Sequence, residues 1–365
     1  MKVLAHAGLV TAGARARPIE GLGFDWASVV LSGWMIGGLY LDGWAHTHIP
    51  GLETFFTPWH AVLYAGFLAL AGLLAGTLLL NHGRGRSWST AMPEGYVPSL
   101  LGAGIFLLGG IGDMFWHLAF GIEIGVDALL SPTHLALAFG GALMLLGPLR
   151  AAARRPAGDA ARGVALWPAV LALTLLVALC NFFSEYIHPF AHTWAAGTRP
   201  YSGQLVFFDQ ALGVGGIVLQ AAVLTAILLV ALRRWGTALP VGTCTLLIGL
   251  STALLVVIAD RQIVLPPWRL IVVALLAGLA ADGLRWWLRP AAPRPSGVRI
   301  FACLVPAILY GLYFAALALA GPIWWTVHMW AGTIVLAGLA GWLVSYLVVP
   351  GAGLSAPHSV LGHGE

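Results

Sequence analysis

Ten apolar segments, each of a length that suits a membrane-crossing helix, follow one another along this chain of 365 residues. A helix needs about 20 apolar residues to span the hydrocarbon core of a bilayer. The segments lie at residues 26–46, 58–80, 98–119, 132–149, 164–187, 205–232, 240–259, 268–288, 300–320 and 323–349. The sequence lacks the strand alternation of a membrane barrel, and irregular backbone exposed to lipid would leave its polar groups unpaired. We therefore predict an all-α fold, a polytopic membrane helix bundle of about ten transmembrane helices.

The composition leaves little polar surface for contact with water. Hydrophobic residues make up 59% of the chain and charged residues only 9%, whereas soluble domains carry about 25% charged residues. The lipid bilayer is therefore the predicted surrounding of the protein. A net charge of +4 without a basic stripe gives no reason to expect a nucleic-acid partner. Cys180, Cys244 and Cys303 fall in apolar segments and form no CxxC pair, which argues against disulfides and thiolate metal sites.

The Lys and Arg residues are distributed unevenly between the two sides of the predicted bundle. Fifteen of the 18 lie before the first segment, or at the ends of the second, fourth, sixth and eighth segments and in the loops that follow them. Because cytoplasmic loops are enriched in Lys and Arg, both termini are predicted to be cytoplasmic. The predicted location is the cell (inner) membrane, and the turns after the first and third segments then face the outside or the periplasm.

Polar linkers divide the apolar pattern into larger units. We expect residues 1–150 to form a four-helix module that carries a duplicated motif, and residues 164–349 to form a six-helix module that completes the bundle. The remaining residues, 350–365, are rich in Gly and Pro and are expected to form a loose tail.

The duplicated motif is an ordered set of ionisable residues in the turns after the first and third segments. Each copy has an Asp, a His four residues later, a turn that contains an acid, and finally Thr or Ser, Pro, any residue and His. The corresponding residues are Asp42, His46, Glu53 and His60 in the first copy and Asp113, His117, Asp127 and His134 in the second. We therefore predict that helices 1–2 and 3–4 are an internal repeat.

The spacing of the motif places its ionisable groups at helix ends. The Asp and the first His of each copy are four residues apart, so they share one face of a helix. The Thr-Pro and Ser-Pro pairs are typical of an N-cap residue followed by proline at the first helical position. His60 and His134 are then predicted in the first turn of the next helix. Because both copies run in the same direction, a pseudo-two-fold axis along the membrane normal would bring them together.

Further candidate ligands are predicted on the same outer face. Imidazole and carboxylate groups together suit copper, iron, zinc or manganese, whereas magnesium and calcium prefer oxygen alone. We therefore predict a transition-metal site with enough ligands for two ions; the alternative is a purely structural polar network, since duplication can also copy a structural turn. The predicted metal ligands are Asp42, His46, His60, Asp113, His117, His134, Glu185, His188, His192 and His328.

The order Asp-x3-His followed by a second His resembles the copper-ligand motif in the C subunit of copper membrane monooxygenases, the particulate methane and ammonia monooxygenases. In that family one Asp and two His from adjacent helices bind copper. The resemblance covers about twenty residues per copy, and the gaps to the second His, 13 and 16 residues, are longer than in the family. It favours copper over iron or zinc, together with oxidative chemistry. The residues to which it implies copper ligation are Asp42, His46 and His60, and Asp113, His117 and His134.

Three functions remain open from the sequence. The first is a membrane-bound oxidoreductase or monooxygenase-like enzyme that acts on a small or lipophilic substrate, with an electron donor or further membrane subunits as partners. The second is a copper transport or delivery protein, although the cytoplasmic halves of the segments are almost entirely apolar and offer few polar groups for a path. The third is a haem or quinone protein, which would need His residues deeper in the bundle. The pattern assigns no catalytic residues.

Overall fold

The computed structural model describes residues 18–49, 55–123, 125–156, 163–199, 203–259, 265–290 and 295–348. These residues form eleven α-helices and no named β-strand. The helices are α1 (Leu22–His48), α2 (Pro58–Gly83), α3 (Val97–Phe120), α4 (Val126–Leu130), α5 (Pro132–Arg154), α6 (Trp167–Phe183), α7 (Gly203–Trp235), α8 (Thr243–Ile258), α9 (Pro267–Leu288), α10 (Pro295–Ala320) and α11 (Val327–Val348).

Within the described ranges, nine helical segments are long and apolar enough to cross a membrane. They comprise every helix except the short α4 and α8, and the segment of α6 includes the helical turn before it. The apolar α8 has 16 residues and corresponds to the predicted seventh segment. The prediction of an all-α polytopic membrane helix bundle is confirmed. The orientation in the membrane stays a prediction, and the loose tail and both chain ends lie outside the described residues.

Two predicted segments extend too far at one end. The fifth was predicted to reach residue 187, but α6 ends at Phe183, and a short 3-10 turn, Glu185–Ile187, follows it. The last was predicted to begin at residue 323, but α11 begins at Val327. Ile323 instead forms an isolated antiparallel bridge with Ala196. Both apolar runs therefore include loop residues, most of them half-buried, which hydropathy alone cannot separate from a helix.

Helix pairs and one connecting helix, α6, organise the bundle. Helix α1 packs on α2, and α3 packs on α5, so each predicted copy of the motif lies at the turn of one helix pair. Helix α6 contacts α1, α5 and α8 and thereby joins the first four long helices to the rest. Glycines allow the closest approaches: a Cβ on Gly38 would lie 2.7 Å from Leu63 Cα, and one on Gly102 would lie 2.6 Å from Gly140 O. Small residues at such crossings are typical of membrane helix packing.

One buried polar cluster joins α1 and α5 at the ends opposite the Asp/His motif. The guanidinium of Arg155 contacts the carboxylate of Asp25, which is 2% exposed. The hydroxyl of Tyr96 donates a hydrogen bond of 2.7 Å to the same carboxylate. Arg155 also donates to the carbonyl of Ala165, 3.3 Å away. These contacts link the start of α1, the end of α5 and the segments that precede α3 and α6.

Asp282 is an acidic residue in an otherwise apolar part of α9, and it contacts the start of α8. Its carboxylate accepts hydrogen bonds from the backbone N–H groups of Cys244, at 3.3 Å, and Thr245, at 2.9 Å, and from the Thr245 hydroxyl, at 2.8 Å. The first N–H groups of a helix have no partner within the helix. Asp282 of α9 therefore caps the N-terminus of the neighbouring α8.

Candidate metal centre

The start of α2 and the start of α5 have the cap that the sequence predicts. Thr57 Oγ1 accepts a hydrogen bond of 3.1 Å from the backbone N–H of His60, and Pro58 occupies the first helical position. Ser131 Oγ accepts a longer bond, 3.4 Å, from the backbone N–H of His134. These caps fix both histidines in the first turn of their helices, next to the ends of α1 and α3.

The first group of candidate ligands comprises Asp42, His46 and His60. Asp42 Oδ1 lies 3.2 Å from His60 Nδ1, and Asp42 Oδ2 lies 3.9 Å from His46 Nε2. The side chains of Asp42 and His60 are 11% and 10% exposed, whereas that of His46 is 33% exposed. His60 Nδ1 also lies 3.0 Å from the hydroxyl of Thr57. This nitrogen therefore has a second polar contact besides Asp42.

The second group comprises Asp113, His117 and His134. Asp113 Oδ1 lies 3.2 Å from His134 Nε2, and Asp113 Oδ2 lies 3.4 Å from His117 Nε2. The side chains of Asp113 and His117 are 1% and 6% exposed. Thr133 donates a hydrogen bond of 2.8 Å to Asp113 Oδ1. The central carboxylate is thus held by more partners and is more deeply buried than its counterpart Asp42.

Each group can hold one metal ion. In each, one ligand atom per residue can be chosen so that the three atoms lie within 4.8 Å of one another. Three protein ligands with a fourth position open to water or substrate is the arrangement of catalytic zinc sites. The two carboxylates and four imidazoles match the chemistry of transition metals better than that of magnesium or calcium.

Both groups open into one cavity of about 510 Å³. Phe55 lies between them: its ring centre is 5.1 Å from that of His60 and 6.0 Å from that of His117. The ring centres of His60 and His117 are therefore at most about 11 Å apart. A cavity of this volume is in the range that binds small molecules and cofactors in proteins.

Apolar side chains line the cavity beyond the Asp/His groups. On three helices the lining extends seven residues past a candidate ligand, from Asp42 to Met35, from Asp113 to Phe106 and from His134 to Gly141. Seven residues of helix correspond to a depth of about 10 Å. The cavity therefore has the two polar Asp/His groups at one level and an apolar compartment about two helical turns deep. Its other apolar lining residues include Ile36, Leu39, Leu63, Leu137, Leu179 and Phe182.

The remaining predicted ligands divide into two pairs. Glu185 and His192 line the same cavity, together with Tyr186. His328 is exposed in the first turn of α11 and does not line the cavity. His188 also lies outside the cavity lining; its Nδ1 accepts a 3.1 Å hydrogen bond from the backbone N–H of Phe190.

His188 and His192 do not share one helix face, although they are four residues apart. Their spacing of four residues indicates a common face only within a helix, and the chain is no longer helical there. His188 precedes Pro189 and has φ −75° and ψ 125°, as expected of a residue before proline. Burial, with a smaller contribution from the charge of His192, lowers the pKa of His188 to about 3. His188 is therefore a neutral, buried imidazole.

Glu123, which is not part of the duplicated motif, contacts the second group. Its Oε2 lies 3.0 Å from His117 Nδ1, the ring nitrogen that faces away from Asp113, and its other oxygen accepts a hydrogen bond from the indole N–H of Trp116. The acid that the alignment placed in the second turn, Asp127, is exposed and does not line the cavity. Its predicted counterpart Glu53 lies outside the described residues.

Tyr64 is a second cavity residue that the motif did not indicate. Its ring stacks on that of His60, with centres 6.3 Å apart and planes inclined by 15°. A signal was present in the sequence, since Tyr64 follows His60 by one helical turn.

No protein-family model, curated protein or solved structure matches this chain.

Proposed function

We propose that this protein is an integral membrane metalloenzyme that holds two transition-metal ions in the Asp42/His46/His60 and Asp113/His117/His134 groups. The observation that carries this proposal is that both groups, which come from separate helix pairs, open into one cavity. Intramembrane ionisable residues are costly and usually functional. A purely structural role explains less well why three candidate ligand atoms converge in each group, and why both groups line a cavity large enough for a small molecule.

We propose copper as the resident metal, in preference to iron or zinc. Imidazole and carboxylate ligands suit all three ions, and the preference for copper comes from the resemblance to the copper membrane monooxygenases. A redox-active ion at these positions would supply one-electron and dioxygen chemistry. The protein residues would bind and orient the ions, and the surrounding apolar side chains would keep bulk water from the cavity.

The proposed substrate is small or lipophilic, and the proposed reaction is its oxidation. The apolar compartment below the Asp/His groups accommodates a hydrocarbon portion, which would be placed about two helical turns deep. Its reacting end would then lie at the level of the ligands. The proposed oxidation is a monooxygenation: one oxygen atom of dioxygen enters the substrate and the other is reduced to water, which requires electrons from an external donor, so an electron donor or a further membrane subunit is part of the proposal.

Elemental analysis of the purified protein tests the proposal. We expect wild-type protein to retain about two equivalents of copper after dialysis. His60→Ala and His134→Ala should each lose about one equivalent, because each removes one of three ligands from one group. His328→Ala is the control, since this exposed His lies outside the cavity lining. Wild-type protein without bound metal, or equal metal content in all three variants, would refute the assignment.

The same preparation separates an enzyme from a delivery protein. Reconstituted vesicles that accumulate copper in a manner abolished by His60→Ala and His134→Ala would favour transport. Vesicles that retain copper on the protein without uptake, and oxidise an added lipophilic substrate when a reductant is supplied, would support the enzyme.

A further inference from the structure

We infer that the two metal groups are inequivalent, and that Glu123 acts as a positioning residue that makes the Asp113/His117/His134 group the higher-affinity site. The inference rests on the proposed function, because it concerns how the two proposed ions are bound. It adds an order of metal binding: the second group binds its ion first, and the first group, with Asp42, then binds an ion with lower affinity.

The contact between Glu123 and His117 carries the inference. His117 Nε2 faces Asp113 at 3.4 Å, while His117 Nδ1 lies 3.0 Å from the Glu123 carboxylate and 3.2 Å from the backbone carbonyl of Gly121. A metal ion on Nε2 leaves the proton on Nδ1, where it faces both the Gly121 carbonyl and the Glu123 carboxylate. Such a carboxylate behind a ligating His fixes the ring and raises its basicity. The indole of Trp116 holds Glu123 from the other side, so the carboxylate is itself oriented.

The first group has no such arrangement among the described residues. His46 is the counterpart of His117, and its side chain is 33% exposed, against 6% for His117. The carboxylate of Asp42 lies 3.9 Å from Nε2 of this ring. In addition, the ligand nitrogen of His60 that faces Asp42 also contacts the Thr57 hydroxyl at 3.0 Å. A metal ion on this nitrogen would have to replace that contact.

The burial of the two central carboxylates points in the same direction. Asp113 is 1% exposed at its side chain and accepts a hydrogen bond from Thr133. Asp42 is 11% exposed at its side chain. A ligand that is already held in place loses less conformational freedom when the ion binds. The second group is therefore better prepared for an ion than the first.

A titration of metal-free protein with Cu²⁺, followed by electron paramagnetic resonance and by competition with a chelator, tests the inference. Wild type should bind in two steps. His134→Ala should abolish the tighter step and His60→Ala the weaker one. Glu123→Gln should weaken the tighter step by about 10–100-fold and change its nitrogen hyperfine pattern. Trp116→Phe should shift it in the same direction by less. Glu94→Gln is the matched control, because Glu94 is 75% exposed and pairs with Arg154.

The weaker step serves as an internal test of folding, since a misfolded variant would lose both steps. Glu123→Asp, which keeps the charge, should restore part of the affinity that Glu123→Gln loses. The inference is overturned if Glu123→Gln leaves the tighter step unchanged, weakens both steps equally, or acts on the step that His60→Ala removes. A wild-type protein that binds no Cu²⁺ would instead overturn the proposed function, so the two failures are distinguishable.

Discussion

The ion pair of Arg155 and Asp25 gives the sharpest prediction about stability. Arg155→Met removes the cation and leaves the Asp25 carboxylate, 2% exposed, without its counterion. Loss of one partner of a buried pair costs about 3–5 kcal/mol. Because the Arg155 side chain is 16% exposed, water screens the pair in part, and we expect a loss of about 3 kcal/mol in the free energy of unfolding.

The adjacent Arg154 supplies the matched control. It carries the same group on the same helix end, but its partner Glu94 is 75% exposed. Exposed pairs contribute about 0–1 kcal/mol, so Arg154→Met should change the free energy of unfolding by less than about 1 kcal/mol. Both variants can be measured by equilibrium unfolding in mixed micelles of increasing denaturing-detergent fraction, followed by tryptophan fluorescence.

The double variant Asp25→Asn/Arg155→Met tests the cause of the loss. It removes both charges, so it should be more stable than Arg155→Met alone, because no uncompensated carboxylate remains buried. The reasoning is refuted if Arg155→Met and Arg154→Met are equally stable to within about 0.5 kcal/mol, or if the double variant is no more stable than Arg155→Met.

Three further predictions concern other parts of the bundle. The pKa of His188 is lowered from 6.5 to about 3, so between these pH values the unfolded chain binds a proton that the native state does not. The free energy of unfolding should therefore fall as pH decreases from about 6.5 towards 3, by at most about 1.4 kcal/mol per pH unit. His188→Gln should flatten this dependence when unfolding is measured at a series of pH values. Asp282→Ala should destabilise the protein by about 1–3 kcal/mol, because it leaves N–H groups of α8 unsatisfied, whereas Asp282→Asn should lose less in the same assay. Gly141→Leu should fill the apolar compartment and reduce binding of a lipophilic substrate, while copper content stays at the wild-type value. Gly104→Leu, at an exposed position with open space around it, should change neither quantity. Loss of copper from Gly141→Leu would contradict the placement of the substrate.

The parts of the site that could be predicted are those determined by local rules. The helix segments follow from the length of apolar runs. The four-residue spacing from Asp113 to His117 determines a common helix face, and the Ser-Pro and Thr-Pro pairs determine where α5 and α2 begin. These rules operate within one or two turns of the chain, so they do not depend on how distant segments pack.

The parts that could not be predicted depend on packing between distant segments. Glu123 lies in a turn whose length differs between the two copies, so alignment paired the acid of the first copy with Asp127 instead. The direction of His188 depends on the backbone before Pro189, which ends the helical spacing. His328 lies in the first turn of α11. Whether its side chain faces the cavity or the outside is determined by how α11 packs on α7 and α10.

The contribution of α6 to the cavity has a consequence for how the two halves of the chain depend on each other. Leu179 and Phe182 of α6, and Glu185 after it, form a wall that the first four long helices do not supply. A fragment that stops after Arg150 would keep all six candidate Asp and His ligands, yet lipid acyl chains would reach the proposed metal positions directly. If the proposed ions are bound, α6 and the turn after it enclose them, and changes in this wall would alter which molecules enter without altering a single candidate ligand.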